Sequence, residues 1–431
     1  MHFTMIIAIL FLGLHIYDAS SFPLSGEEAY YWTWSQNWAW GYWHHPPMIA
    51  YGIGISTTIF SKTEIGVRIL GIILHIASSY LLATQTKYPH QSLLVLLTLP
   101  GFAIIGMEAH PQLYFSSFFA LALWSWLLKR WILLGIFCCL SFLSTTSGIF
   151  LIPFLGLMGF IFPEHRKGLF ISFFVSIIGS TPWFIWLLSQ KENFLGLLYN
   201  LEPSSITISG LDLFFYVGCI IFAPLLQPRE QHQKITWAIS IFFVLSVTIF
   251  SPQFMGIGWG VAGALYVCQR FPNQFTSALL GIHMFIFGVQ KLNLHIPLLP
   301  SDVHAAQKYN GGEILADAVQ AWGIPNAWAT SPFDAAWIQF YSNVQAQTNA
   351  NIGTKSQFDL WNVPFPDSGL MIQENSRFFS VPNYTFSNIQ TIASYAESYK
   401  KGEFVQTHQW NTAVFQRSPS DEVLSPNNDA D

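Results

Sequence analysis

Two adjacent acids, Glu27 and Glu28, open a segment dense with aromatic rings and closed by two histidines and two prolines. It reads Ser25-Gly-Glu-Glu-Ala-Tyr-Tyr-Trp-Thr-Trp-Ser-Gln-Asn-Trp-Ala-Trp-Gly-Tyr-Trp-His-His-Pro-Pro47. A carboxylate within hydrogen-bond reach of a hydroxyl can remove its proton as the oxygen forms a new bond. Where the group being transferred leaves a phosphate behind, that phosphate needs positive charge or strong donors. His44 and His45 are of the right type to supply them, and Arg68, near the start of a later apolar run, is a third candidate. Glu108 and His110 lie in a second short polar stretch, Ile105-Gly-Met-Glu-Ala-His-Pro111.

Each of these residues has a plainer reading. Ser25 followed three residues later by Glu28 is a capping box, which predicts a helix start there. Both acids then sit in the first turn, where they complement the helix dipole. Tyr30, Trp34 and Trp38 share one helical face, suited to a membrane interface or a bundle surface. The two histidines beside prolines are equally suited to interfacial packing. Arg68 is costly in lipid unless it snorkels or meets a polar cavity, a lipid phosphate or a loop carboxylate. His44, His45, His110, Glu27, Glu28 and Glu108 are metal-ligating types, but no tight spacing such as His-x-x-x-His joins them. The expectation is therefore no bound metal, with a divalent ion as the lesser alternative and no other cofactor.

The elements that position these residues are membrane helices. Of 431 residues, 52% are apolar and only 10% charged, and a large soluble protein of that composition would expose apolar surface and aggregate. Candidate spans are 3–18, 64–85, 91–107, 112–128, 131–146, 148–163, 168–188, 210–227, 235–251, 254–268 and 275–291. That predicts a polytopic α-helical membrane protein of about eleven crossings. Residues 46–60 are also apolar, but Pro46 and Pro47 predict a helix lying along the interface. Phe3–Tyr17 lacks a basic n-region and a cleavage site, so it reads as a retained first helix. Cys138, Cys139, Cys219 and Cys268 fall in or beside apolar runs and read as packing residues, with no disulfide framework.

Charge orients the bundle. With the N-terminus cytoplasmic, the inner loops hold Lys87, Lys129, Arg130, Arg166, Lys167, Arg229, Lys234 and Arg270. The outer loops before the tail hold only Lys62 and Lys191. The outer segments are then 19–63, 105–111 and 189–209, the last with Lys191, Glu192 and Glu202, and everything beyond about residue 295 lies outside. The net charge of −5 is spread along the chain, so no basic patch points to nucleic acid.

Three domains follow: a membrane domain over 1–295 with its outer loop 19–63, a small soluble α/β domain over 296–418 and a disordered tail over 419–431. In the soluble part, Leu315, Val319 and Trp322 form a helical stripe that Gly323 stops. Ala327–Thr330, Leu370–Gln373 and Phe404–Phe415 read as strands, and Asp334–Ser342 as a helix. The last dozen residues, rich in Ser, Pro, Asn and Asp, have a disordered composition.

The ordered motifs resemble the bacterial protein O-mannosyltransferase-like family, C-type glycosyltransferases that include the aminoarabinose transferases of lipid A. The family's Asp-Glu-Ala-Tyr-Tyr-Trp appears as Glu27-Glu28-Ala29-Tyr30-Tyr31-Trp32, its Trp-Ser pair as Trp34-Ser35, and its Tyr-x-Asp-His-Pro-Pro as Tyr42-Trp43-His44-His45-Pro46-Pro47. Val67-Arg68-Ile69 matches a Val-Arg-Leu element. In the tail, Ala335-Ala336-Trp337-Ile338-Gln339-Phe340-Tyr341 and Gln357-Phe358-Asp359-Leu360-Trp361 match two further runs, so the likeness covers most of the chain.

The resemblance implies an inverting transferase that uses a polyprenyl-phosphate sugar, with Glu27 as base, Glu28 as the second acid and His45 as the basic position beside the donor phosphate. Arg68 joins His45 there, and Glu108 matches the family's second-loop acid. His44, Glu108 and His110 are supporting residues. The implied partners are an undecaprenyl-phosphate-linked sugar, a lipid, glycan or protein acceptor and membrane lipids. The implied place is a bacterial cytoplasmic (inner) membrane, with transfer at its outer face. The chain departs from the pattern at Glu27 and His44, each replacing Asp, and at Ser144-Thr145, replacing a Ser-Lys pair. Those changes fit either an altered donor preference or a catalytically inactive relative that binds a lipid-linked sugar. A transporter or flippase of a lipid-linked substrate is the alternative from another class; it would require charges or broken helices at mid-membrane.

Overall fold

The computed structural model describes residues 2–99, 101–145, 148, 151–190, 273–295, 309, 311–349, 352, 356–361, 367–374, 384–398 and 404–417. The expected spans 210–227, 235–251 and 254–268 lie outside the described residues. So do residues 191–209 of the third outer loop, Cys219, Cys268, Arg229, Lys234, Arg270 and the tail 419–431. The chain divides into two compact units, Met1–Phe22 with Trp34–Ala306, and Pro23–Thr33 with Gln307–Asp431.

The first unit is helical. Its helices are α1 (His2–Ser21), the end of α2 (Gly26–Ser35), α3 (Met48–Phe60), α4 (Glu64–Ala83), α5 (Pro89–Leu97) and α6 (Phe102–Ile105). They are followed by α7 (Pro111–Leu127), α8 (Trp131–Phe142), α9 (Leu151–Ile161), α10 (Arg166–Ser189) and α11 (Asn273–His295). Among the described residues, His2–Ser21, Glu64–Ala83 and Pro163–Ser189 are long and apolar enough to cross a membrane. The expected span 91–107 is instead broken into α5 and α6, because Pro100 offers no amide hydrogen and disfavours helix in the residue before it.

α7 shows why the unit belongs in lipid. It is apolar all round and buried along nearly its whole length, so it is the centre of the bundle. Its Phe115 and Phe119 join Leu96, Phe102, Phe154 and Leu169 in one continuous core. α1 and α10 turn the opposite way, exposing Ile9, Leu10, Ile178, Ile185 and Leu188, a face that only hydrocarbon covers without penalty. Small residues let helices close up. A methyl group on Gly135 of α8 would meet the Ser172 carbonyl of α10 at 2.7 Å. Ser172 and Ser176 donate across that seam to the carbonyls of Trp131 and Gly135, at 2.7 and 2.9 Å. Cys138 and Cys139 are buried free thiols on α8, the packing role expected of them.

The second unit holds a five-stranded sheet in the order β2-β1-β3-β5-β4. Its strands are β1 (Asn326–Ala329), β2 (Gln345–Gln347), β3 (Ser368–Glu374), β4 (Tyr384–Ser398) and β5 (Phe404–Arg417). β1 runs parallel to β2 and β3, whereas β5 runs antiparallel to β3 and β4. The helices are α12 (Gly312–Gln320), α13 (Pro332–Tyr341) and α14 (Gln357–Leu360). Leu315 and Val319 are buried as the stripe predicts, and Gly323 ends that region at φ +67°, a conformation glycine adopts without strain. Ser331 caps α13, accepting from the amides of Phe333 and Asp334. β2, β4 and α14 carry no sequence signal strong enough to have been expected.

Candidate active site

The acid segment is built from the second unit. Ser25 and Glu28 form the expected box: the Ser25 amide donates to Glu28 Oε2 at 3.0 Å, and the Glu28 amide to Ser25 Oγ at 3.3 Å. Glu28 is therefore buried and engaged by its own turn, whereas Glu27, one residue earlier, is exposed. The two acids are thus separated in role by a single step along the helix.

The turn that carries them is pinned by the two tail motifs. The Leu24 amide donates to Tyr341 Oη at 2.6 Å, and Trp337 Nε1 donates to the Leu24 carbonyl at 2.9 Å. The Gln357 amide donates to Tyr30 Oη at 2.6 Å. Tyr30 stacks on Phe358 at 5.9 Å and meets Phe333 edge-on at 5.8 Å, and Trp32 packs on Phe340 at 5.1 Å. Gly26 lies so close to α13 that a Cβ there would sit 2.8 Å from that of Phe333. Residues 23–33 are in effect an extra element of the tail's fold. α14, which receives Tyr30, is itself closed by the Ser356 amide donating to Asp359 Oδ2 at 2.7 Å.

The histidines are built from the first unit. Trp34 stacks on Tyr42 at 4.9 Å, with His44 coplanar at 6.5 Å and His45 tilted at 6.4 Å. The Tyr42 amide donates to the His45 carbonyl at 3.1 Å, and Tyr42 Oη lies 3.0 Å from the Asn37 carbonyl. His110 caps α7, its Nδ1 accepting from the Gln112 amide at 3.1 Å, which leaves the ring proton on Nε2. His44, His45 and His110 are close enough to influence one another electrostatically. Burial holds His44 down at about 4 and His45 at about 3, where the other two rings add to the effect. Both are neutral near pH 7, so of the two roles that sequence left open, positive charge or strong donor, each can fill that of an N–H donor. Trp38 departs from the expected shared face: α2 ends at Ser35, and Trp38 is exposed beside Tyr51.

Arg68 is fully buried, and its Nη1 donates to the carbonyls of Ala19 and Phe22 at 2.6 and 2.7 Å, closing the end of α1. Glu108 is buried in a different setting, within electrostatic reach of Lys291 on α11. Ser144 spends its hydroxyl on the Leu140 carbonyl. Among the described residues no three His, Cys, Asp or Glu side chains form a metal-ligand set.

Sequence reasoning missed two things. One is the aromatic alcohols and indole that hold the acid turn, Tyr30, Tyr341 and Trp337. The other is a buried ion pair, Lys291 Nζ on Asp18 Oδ2 at 2.5 Å. The signal for the latter was present, since two opposite charges at the ends of separate apolar runs are costly unless they meet.

No protein-family model matches the chain. Its sequence is 28% identical to the lipid A galacturonosyltransferase RgtD of Rhizobium johnstonii over 340 residues, 68% of this chain and 71% of that protein. Among solved structures it is similar to ArnT of Cupriavidus metallidurans in the apo state, with a TM-score of 0.58 and 14% identity. It is also similar to ArnT bound to undecaprenyl phosphate, at 0.59 and 13%. Each comparison covers 96% of this chain and 97% of the other. The chain therefore has the polytopic membrane fold of ArnT, a C-type glycosyltransferase, and it resembles a lipid A glycosyltransferase in sequence, as its first-loop motif led us to expect.

Proposed function

We propose that this chain is a membrane glycosyltransferase that takes a sugar from a polyprenyl-phosphate donor and passes it, with inversion, to a hydroxyl of a lipid acceptor of the lipid A kind. The relatives support the donor and acceptor classes, one being a lipid A galacturonosyltransferase and another an ArnT structure bound to undecaprenyl phosphate. In this reading the bundle has about eleven crossings in a bacterial inner membrane, with a cytoplasmic N-terminus and the α/β domain outside.

The observation that carries the reading is the state of Glu27: an exposed carboxylate on a helical turn whose neighbours are fixed by hydrogen bonds and stacked rings. A base needs this combination of access and a fixed position. Glu27 takes the proton of the acceptor hydroxyl. The oxygen bonds to the anomeric carbon, the carbon–oxygen bond to phosphate breaks, and the electron pair leaves with the polyprenyl phosphate. His45 donates an N–H bond to that phosphate, supported by His44 and His110. Arg68 adds the fixed positive charge. Glu28 holds the turn through Ser25, and Glu108 supports the second outer loop.

Proteoliposomes supplied with radiolabelled polyprenyl-phosphate galacturonic acid and lipid A test the reading. Glu27→Gln, at an exposed position, should fold normally and slow transfer by roughly 10²–10⁴. Unchanged transfer would remove Glu27 as the base. A carrier of lipid-linked substrate is the second reading, favoured by the buried Asp18–Lys291 pair. Donor translocation by wild-type vesicles that show no sugar transfer, and by Glu27→Gln vesicles at the same rate, would select it.

A further inference from the structure

The first unit contains a polar cluster in its apolar interior that the proposed reaction does not use. Lys291 on α11 is 8% exposed and Asp18 on α1 is 1% exposed. Beside their contact, Lys291 Nζ lies 3.5 Å from His15 Nδ1 and 5.7 Å from the Phe287 ring centre. An ammonium group can only donate, so Nδ1 of His15 accepts and the ring proton sits on Nε2. Among the described residues that Nε2 has no hydrogen-bond partner, nor has the Nε2 of His75, whose ring is 6.3 Å away on α4.

The edge of His15 that carries this proton covers the second outer loop. A Cβ on Gly106 would fall 2.6 Å from His15 Cε1 and 3.1 Å from Nε2, so no other residue fits there without displacing the ring or the turn. The Gly106 turn continues directly into Glu108, whose amide donates to the Ile105 carbonyl at 3.2 Å. Below it, His75 packs on Phe102 of α6 at 4.3 Å. Glu108 is itself buried and within electrostatic reach of Lys291. One cation thus contacts Asp18 at the end of α1 and feels the charge of a second acid, Glu108, in the loop before α7.

We propose that Lys291, anchored by Asp18 and roofed by His15, is a positioning residue that fixes Glu108 and the 105–111 turn for sugar transfer. This rests on the transferase reading. Lys291 touches no reacting group in it; its charge sets where Glu108 stands. A pin between α1 and α11 would need only the Asp18 contact. The close approach at Gly106 and the second acid add a specific link to the outer loop.

The test compares wild type with two variants in the same proteoliposomes, read by transfer kinetics and by hydrogen-exchange protection of residues 105–111. Asp18→Asn/Lys291→Met removes both charges of the pair, so neither is left buried without the other, and exchange protection of α1 and α11 checks that the bundle keeps its fold. The expected result is a fall in kcat of about 100-fold with KM little changed, and faster exchange confined to 105–111. Asp18→Lys/Lys291→Asp rebuilds the ion pair with its charges exchanged, restoring protection in α1 and α11. Transfer should nevertheless stay depressed, because an acid at position 291 now faces Glu108. Recovery of wild-type transfer in the exchanged pair, or wild-type kcat and protection in the neutral pair, would overturn the proposal. Glu27→Gln run alongside separates the two claims: its loss of transfer together with a fully active neutral pair sinks this inference alone, its full activity removes only Glu27 as the base, and no transfer by the wild-type chain sinks the transferase reading. The exchange measurement stands in either case.

Discussion

The acid turn and the histidine stretch lie some fifteen residues apart in one aromatic segment, yet they are held by different means. Around Glu27 the hold is directional: hydrogen bonds join Leu24 to Tyr341 and Trp337, and Tyr30 to Gln357. Around His44 and His45 it is mainly a ring stack, Trp34 on Tyr42 with the imidazoles beside it. The first arrangement leaves its carboxylate exposed. The second half-buries its imidazoles, and their loss of water keeps them neutral. The contrast suits the proposed chemistry, in which a base must meet an incoming alcohol and keep its charge, while the phosphate side requires N–H donors in a drier setting.

The largest effect should come from breaking the stack. Trp34 is fully buried, so Trp34→Ala should cost about 3–5 kcal/mol and lower the yield of folded protein. Residues 34–48 should lose exchange protection, while the hold on Leu24 and Tyr30 stays as it was. Equal loss in both stretches would erase the distinction drawn above.

A smaller effect, of opposite character, belongs to the tail. Asp334 is buried on α13, the helix that also carries Trp337 and Tyr341. Burial, with Glu374 adding to it, pushes its carboxyl from 3.8 up to about 7. Below pH 4 the acid is neutral whether folded or not. Between about 4 and 7 the unfolded chain ionises while the folded domain keeps its proton, so stability is lost as pH rises. Above 7 the deficit is full, up to about 4 kcal/mol. Asp334→Asn should therefore stabilise the α/β domain at pH 8 and change little at pH 4, measured by thermal unfolding of the full chain. A stabilisation equal at both pH values would mean that the carboxyl is not strained.

Tyr341→Phe removes a single hydrogen bond and leaves the ring, costing about 1 kcal/mol locally. If the turn is held by direction as well as by bulk, kcat should fall several-fold with KM unchanged. Unchanged kcat would show that the stacked rings suffice.

Much of this architecture was legible in the sequence. Ser25 and Glu28 announced the helix start three residues apart, and Leu315, Val319 and Gly323 gave a helix and its stop. Ala327–Thr330, Leu370–Gln373 and Phe404–Phe415 marked three of the five strands. What was illegible is what depends on distance in the chain. Tyr341 meets Leu24 across 317 positions and Lys291 meets Asp18 across 273, and no local periodicity encodes such pairs. Protonation was illegible for the same reason: a His-His pair leaves charge and neutral donor both open until its surroundings are known. β4 was missed because register shifts between Ser387 and Gln390 and between Thr391 and Ala393 break the alternation that marks a half-buried strand.

The response to acid is the sharpest on the comparison, because the two regions should answer it in opposite senses. His44 and His45 have their imidazoles depressed from 6.5 to about 4 and about 3. Above pH 6.5 they are neutral folded or unfolded, and the stack is at full strength. As pH falls below 6.5 the unfolded chain takes up protons that the folded stack refuses, so stability drains away down through pH 4 to 3. Asp334 works the other way over the same interval, since acidification relieves its strain. Between pH 7.5 and 5.5, exchange protection corrected for intrinsic rates should therefore fall modestly around residues 34–48 and rise around α13. His44→Gln and His45→Gln together keep hydrogen-bonding groups but cannot titrate, and should abolish the fall without touching the rise. A uniform change across both regions would mean that neither burial nor charge distinguishes them, and the division of labour between an exposed base and half-buried donors would lose its physical ground.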